Sequence, residues 1–92
     1  MDLAYILAML NRSRDARELI GRARSLSPDD PYVYYYSGLI HIRAKESEPA
    51  LDEFEAALER GYPVALLAQD PQMVSLRGDR RFRRLVAAGS DG

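Results

Sequence analysis

Few side chains in this chain have the chemistry to act on a substrate. There is one histidine, His41, and no cysteine in 92 residues. Thiolate nucleophiles, disulfide frameworks and cysteine zinc sites are therefore excluded. His41 has no second imidazole to share a metal with, and no serine or acid stands at a spacing that makes it a triad partner. It is expected to serve as a packing side chain inside a helix. Glu48, Asp52, Glu55 and Glu59 recur at spacings of three and four, which places them on one helical stripe. That ladder reads as a solvated face, not as paired carboxylates for acid–base work. The six glycines never form G-x-G-x-x-G or the P-loop pattern, so a phosphate cradle has no support. No enzyme, no cofactor and no metal site is expected.

Arginines and tyrosines remain. Arg77, Arg80, Arg81, Arg83 and Arg84 crowd the C-terminal end, and Arg12, Arg14, Arg17, Arg22 and Arg24 form a second group. Each group can be a charged helix surface, balanced by Asp79, Asp15 and Glu18, or an anion or nucleic-acid contact. Thirteen Lys+Arg against fourteen Asp+Glu give a net charge of −1. That balance argues against a domain built mainly to hold nucleic acid or an anionic membrane. The tyrosines are clustered at Tyr32, Tyr34, Tyr35 and Tyr36. Tyrosine and arginine dominate binding surfaces, because they bring large contact area, few torsions and a polar tip.

The elements that position these groups are helices throughout. A mixture of 47% hydrophobic and 29% charged residues is that of a folded globular chain, and its length implies one domain with a thin core. Leu3, Ile6, Leu7 and Leu10 share one helical face. Ser13 is placed to cap a second helix carrying Ala16, Leu19, Ile20, Ala23 and Leu26, which ends at Ser27-Pro28. Asp30-Pro31 is the clearest start signal and opens a helix to about Ala44, with apolar and aromatic residues nearly all round it. Ser47-Glu48-Pro49 opens the next, whose stripe is Ala50, Leu51, Phe54, Ala57 and Leu58. Gly61 is expected to end it in a left-handed cap, with Pro63 preventing continuation. Short helical pieces follow at Val64 to Ala68 and from Asp70-Pro71 to Leu76. Asp79 caps a last helix with Phe82, Leu85 and Val86. The tail 89–92 is expected to be disordered. Met1 to Leu10 carries Asp2 where a signal peptide has a positive flank. No run approaches the roughly 18 apolar residues of a membrane span. A cytoplasmic location without membrane contact is the expectation.

One half of the chain overlays the other. Ala16 falls on Ala50, Ile20 on Phe54 and Ala23 on Ala57, each 34 residues apart, while Ala4 falls on Gly38 and Leu7 on His41 at the same offset. Small residues let paired helices approach closely, and the large residue between the alanines fills the gap beside them. The run Tyr34-x-x-Ser37-Gly38-x-x-His41, then Ala50-x-x-x-Phe54-x-x-Ala57, resembles a complete tetratricopeptide repeat, whose period is 34 residues. Ser13 to Pro28 resembles the second half of a preceding repeat. Gly61-Tyr62-Pro63 through Leu66-Leu67, Asp70-Pro71, Leu76-Arg77, Asp79 and Arg81-Phe82 is similar to the segment that closes such repeats in many bacterial signalling proteins. Three positions depart from the family. Ser37 stands for a large aliphatic residue, His41 for an aromatic or aliphatic one, and Arg80 for proline.

The resemblance implies an all-α, TPR-like superhelix of two antiparallel helix pairs with short C-terminal capping helices. It would form a single domain over 1–88: a truncated first repeat at about 1–30, a second at about 31–64 and the closing segment at about 65–88. Ala16, Ile20, Ala23, Tyr34, Gly38, His41, Ala50, Phe54 and Ala57 become the packing residues. The first helix of each repeat lines the concave side in this family, so Tyr32, Tyr35, Tyr36, Leu39, Ile42 and Arg43, with Tyr5 and Met9 of the first repeat, are the expected partner-binding residues. The implied function is a protein-binding scaffold that takes a segment of another protein. Two alternatives stay open: a homodimer through the N-terminal helix, whose Leu3, Ile6 and Leu7 lack a neighbour, and anion or nucleic-acid contact through the C-terminal arginines. The Lys and Asn pattern with which some members clamp a carboxylate terminus is missing.

Overall fold

Asp30 begins the central helix of the molecule with its own carboxylate. Its Oδ1 accepts the amide of Tyr32 at 2.9 Å, and Pro31 occupies a first-turn position that needs no donor. In the computed structural model, which describes residues 13–91, the elements are α1 (Ser13–Leu26), α2 (Pro31–Arg43), α3 (Ser47–Glu59), α4 (Val64–Gln69), a 3₁₀ helix (Pro71–Leu76) and α5 (Arg80–Asp91). The described residues are helical and contain no strand. The β-favouring run Tyr32 to Tyr36 lies inside α2, where the cap and the tertiary environment override residue preference. The segment 1–12, with its expected groove and dimer residues Tyr5, Met9, Leu3, Ile6 and Leu7, lies outside the described residues.

Two helix ends use one device. At the end of α3 the amide of Tyr62 bonds Ala57 O at 3.0 Å and that of Gly61 bonds Leu58 O at 3.1 Å, with Gly61 at φ 101°. This is a Schellman motif, for which glycine is the natural left-handed residue. At the end of α2 the amides of Glu46 and Lys45 bond His41 O and Ile42 O, both at 2.9 Å, and Lys45 holds φ 62°. A lysine there gives no sequence warning of the turn, because left-handed backbone is uncommon outside glycine. The closing segment is capped by aspartates: Asp70 Oδ1 accepts from Gln72 N at 2.8 Å, and Asp79 Oδ1 from Arg81 N at 2.8 Å and Phe82 N at 3.2 Å. α5 continues through Gly89 to Asp91. One glycine inside a helix costs only about 1 kcal/mol relative to alanine and does not by itself stop it.

α2 and α3 make the most extensive helix contact, α1 lies against α2, and α5 packs on α4 and α3. α2 is the central helix and buries Val33, Tyr34, Ser37, Gly38, Leu39 and Ile40, so it shows no polar stripe. α3 contributes Ala50, Leu51, Phe54 and Ala57, and α1 contributes Ala16 and Ile20. Tyr62, Leu67, Met73, Leu76 and Phe82 extend the same core beneath the closing segment. At the α2–α3 contact a Cβ added to Gly38 would lie 2.4 Å from Cε1 of Phe54. Only glycine admits that ring so close.

Candidate functional site

The tyrosines of α2 divide between two sides of the helix. Tyr34 faces the core at 7% exposure. Its hydroxyl donates to Pro28 O at 2.8 Å, and two guanidinium groups lie over its ring, with Cζ of Arg60 at 4.1 Å and Cζ of Arg24 at 4.8 Å from the centroid. Arg60 Nε also donates to Pro28 O, at 3.0 Å. One carbonyl in the α1–α2 turn is thus gripped from α2 and from the end of α3. Cations over aromatic faces contribute about 0.5–1 kcal/mol each where exposed.

Tyr32, Tyr35 and Tyr36 lie toward the closing segment. The ring of Tyr35 stacks on Tyr62 at 4.7 Å with an interplanar angle of 12°, and Tyr36 and Tyr32 meet this pair edge-on at 5.4 and 5.5 Å. The Tyr35 hydroxyl donates to Oδ2 of Asp70 in a short hydrogen bond. Burial, then the bonded carboxylate, pushes the Tyr35 phenol far above its ordinary value. Tyr62 is raised as well, first by burial and then by the charge of Asp70. A single carboxylate therefore starts the 3₁₀ helix with one oxygen and holds Tyr35 with the other. Arg77 fastens the same stretch by donating to Ala68 O and Asp70 O, each at 3.1 Å.

These contacts redraw the expected groove. Tyr32 is 47% exposed, Arg43 is exposed, and Tyr36 and Ile42 are half-buried against the core. Tyr35 is engaged by Tyr62 and Asp70 and is not an open contact residue. Leu39, at 3% exposure, belongs to the core and not to an open groove. The physical reason is that the closing segment folds back on this side of α2, a long-range event without a local sequence signal. Tyr62 and Asp70 were legible only as a repeat-end residue and a cap.

His41, expected as a packing residue of the repeat, makes a polar contact in α2. It is half-buried, and its Nδ1–H donates to Oε1 of Glu46 at 2.7 Å, an oxygen that also accepts from Arg17 at 2.6 Å. The His41 bond and then the charge of Arg17 hold the Glu46 carboxyl below its ordinary value. The acidic ladder is exposed, and three of its members converge on one cation. Arg81 reaches Glu48 at 2.9 Å, Asp52 at 2.6 Å and Glu55 at 3.5 Å, tying α5 to α3. The C-terminal arginines therefore separate: Arg77 and Arg81 hold the fold, while Arg80, Arg83 and Arg84 are exposed on α5. Among the described residues no group of three or more His, Asp or Glu side chains is placed to hold a metal ion. No described helix is long and apolar enough to cross a membrane.

Comparison with known proteins gives one partial likeness. Over 58 residues the chain is 33% identical to "Protein NPGR2" of Arabidopsis thaliana, a stretch that covers 63% of this chain and 8% of that protein. No family model matches the chain. No solved structure matches it either.

Proposed function

We propose that this chain is a tetratricopeptide-like helix-pair module that binds a segment of a partner protein along the aromatic side of α2. The partner segment would run past Tyr32 and Tyr36 toward Ile42 and Arg43, which fall on one stripe of the helix. The observation that carries this reading is the aromatic cluster of Tyr32, Tyr35, Tyr36 and Tyr62, fixed from beneath by Asp70 and left partly open at Tyr32. Rings already held in place lose little freedom on binding, which is the property of strong contact residues. The 34-residue overlay and the seating of Phe54 against Gly38 support the repeat-like character of the helix pair.

The test is selection of peptides from a random library on the immobilised chain, followed by titration of the selected peptides. They should bind the wild type and lose about tenfold or more in affinity against Tyr32→Ala with Tyr36→Ala, while the thermal melt stays cooperative. Tyr35 is left intact because it holds the closing segment. Undiminished binding to that double variant would refute the aromatic mode. Sedimentation across concentration supplies a second check, since a mass that doubles and reverts to monomer in the same variant would make a second copy the occupant of this face.

A further inference from the structure

Carboxylates are shared unevenly along α5. Arg81 by itself meets Glu48, Asp52 and Glu55. Arg80, Arg83 and Arg84, its close neighbours in the chain, are all exposed. Among the described residues none of these three has an ion pair or a side-chain hydrogen bond. Their spacing of three and four puts them on one side of the helix, along about 6 Å of its axis. Phe82, Leu85 and Val86 occupy the other side, against the core.

This placement is locally unfavourable. Like charges three and four residues apart on a helix repel, and the positive end of the helix dipole repels cations in the first turn. No acidic residue lies in the first turn of α5 to offset them. Asp79 precedes that turn, and its Oδ1 is taken up by the amides of Arg81 and Phe82. Within the described fold, then, three guanidinium groups cost the helix something and return no contact. A breach of local preference with no internal compensation is characteristic of a functional surface.

We infer that this side of α5 docks a short acidic segment of a partner protein, with two or three carboxylates set against Arg80, Arg83 and Arg84. A guanidinium is planar and takes a carboxylate through two parallel N–H bonds. The surroundings select against other polyanions. A nucleic-acid strand running past the arginines would meet the ladder on α3, where Glu48 and Asp52 remain 72% and 69% exposed beside Arg81. No aromatic ring lies among the exposed, described residues of α5 for bases to stack on. Its large apolar residues face the core, which leaves the helix no apolar side to sink into a bilayer. The arginines are distinct from the tyrosines of α2, so either reading can fail without the other.

The experiment is an NMR titration of the full ¹⁵N-labelled chain at low salt, followed at the backbone amides and the arginine Nε–H groups. Hexaglutamate, hexathymidylate and vesicles of phosphatidylcholine with phosphatidylserine serve as separate probes. Hexaglutamate should shift Arg80, Arg83 and Arg84 saturably. Arg14 and Arg22, exposed on α1 but eight residues apart, should stay nearly unmoved. Arg80→Gln with Arg84→Gln should weaken hexaglutamate binding about fivefold or more, whereas Arg14→Gln with Arg22→Gln removes the same charge and should change it less than about twofold. The first double variant relieves repulsion inside α5, so its melting temperature should equal or exceed that of the wild type. Equal shifts at Arg14 and Arg22, equal losses in the two double variants, or a lower melting temperature for Arg80→Gln with Arg84→Gln overturns the inference. Tighter binding of hexathymidylate or of the vesicles than of hexaglutamate does so too. Shifts of the three arginines that grow with chain concentration alone would make a second copy the occupant, and also overturn it.

Discussion

On one side of α2, Gly38 gives up its side chain so that the ring of Phe54 can lie against bare backbone, among residues at or near zero exposure. One position earlier in the same helix, Ser37 turns toward Arg24 and Glu53 across a polar cavity, and His41 meets Glu46 and Arg17 one turn further on. The two sides differ in what a lost atom costs. On the α3 side, each missing carbon opens a void that cannot collapse, whereas on the α1 side partly exposed charges exchange protein partners for water at little net change. Stability of the helix pair should therefore reside on the α3 side. The α1 side is left free to carry polar groups that a tighter contact would exclude.

Breaking the dry side should have the largest effect. Phe54→Ala removes a fully buried ring and is expected to cost about 3–5 kcal/mol, which abolishes a cooperative urea transition in a domain of this size. Next comes Gly38→Ala, whose new methyl would sit 2.4–2.8 Å from three carbons of the Phe54 ring. Overpacking of that kind costs about 1–3 kcal/mol, against roughly 0.5–1 kcal/mol gained from helix preference. Combining it with Phe54→Leu should recover part of the loss, and additive urea midpoints would show that the two positions do not share one space.

The closing segment offers an intermediate case. Tyr35→Phe should cost roughly 1 kcal/mol at neutral pH through loss of the bond to Asp70. The Tyr35 and Tyr62 phenols are raised in the folded state, so their contribution is complete below pH 10 and is lost as pH rises above it, where phenols of the unfolded chain ionise first. Urea midpoints of wild type should consequently fall more steeply above pH 10 than those of Tyr35→Phe, and parallel curves would contradict the buried bond.

Smallest of all is the polar side. Glu46 is lowered, so what it contributes is present above its ordinary value of 4.5 and is lost as pH falls through the folded value. Glu46→Gln should flatten the acid limb of stability and change the midpoint at pH 7 less than any substitution above, with the difference fading further in salt. A loss as large as that of Gly38→Ala would erase the contrast between the two sides.

Much of the helical scaffold is written in short stretches of sequence. Asp30-Pro31, Asp70-Pro71 and Asp79 each start a helix by a bond spanning two residues, and Gly61 ends one through its own backbone freedom. These interactions are local, so their residues announce them. Spacing likewise marked Ala16, Ile20, Ala50, Phe54 and Ala57, all of which are buried. Lys45 escaped notice because nothing in a lysine signals a left-handed turn; the bonds of Lys45 and Glu46 back to Ile42 and His41 specify it.

Sequence by itself determined where most of the helices begin and which core residues of α1 and α3 recur at helical spacing, because those properties depend on neighbours within about one turn. It could not determine what meets across the fold. That Asp70 would hold Tyr35, that Arg24 and Arg60 would both lie over the ring of Tyr34, and that Arg81 would gather three carboxylates are pairings over 10 to 35 residues of chain. Such pairings arise only when helices are placed side by side, and many alternatives share the same composition. The tertiary structure therefore decided which tyrosines are open, which arginines are occupied, and that a serine and a histidine would leave a polar cavity where a packed core was expected.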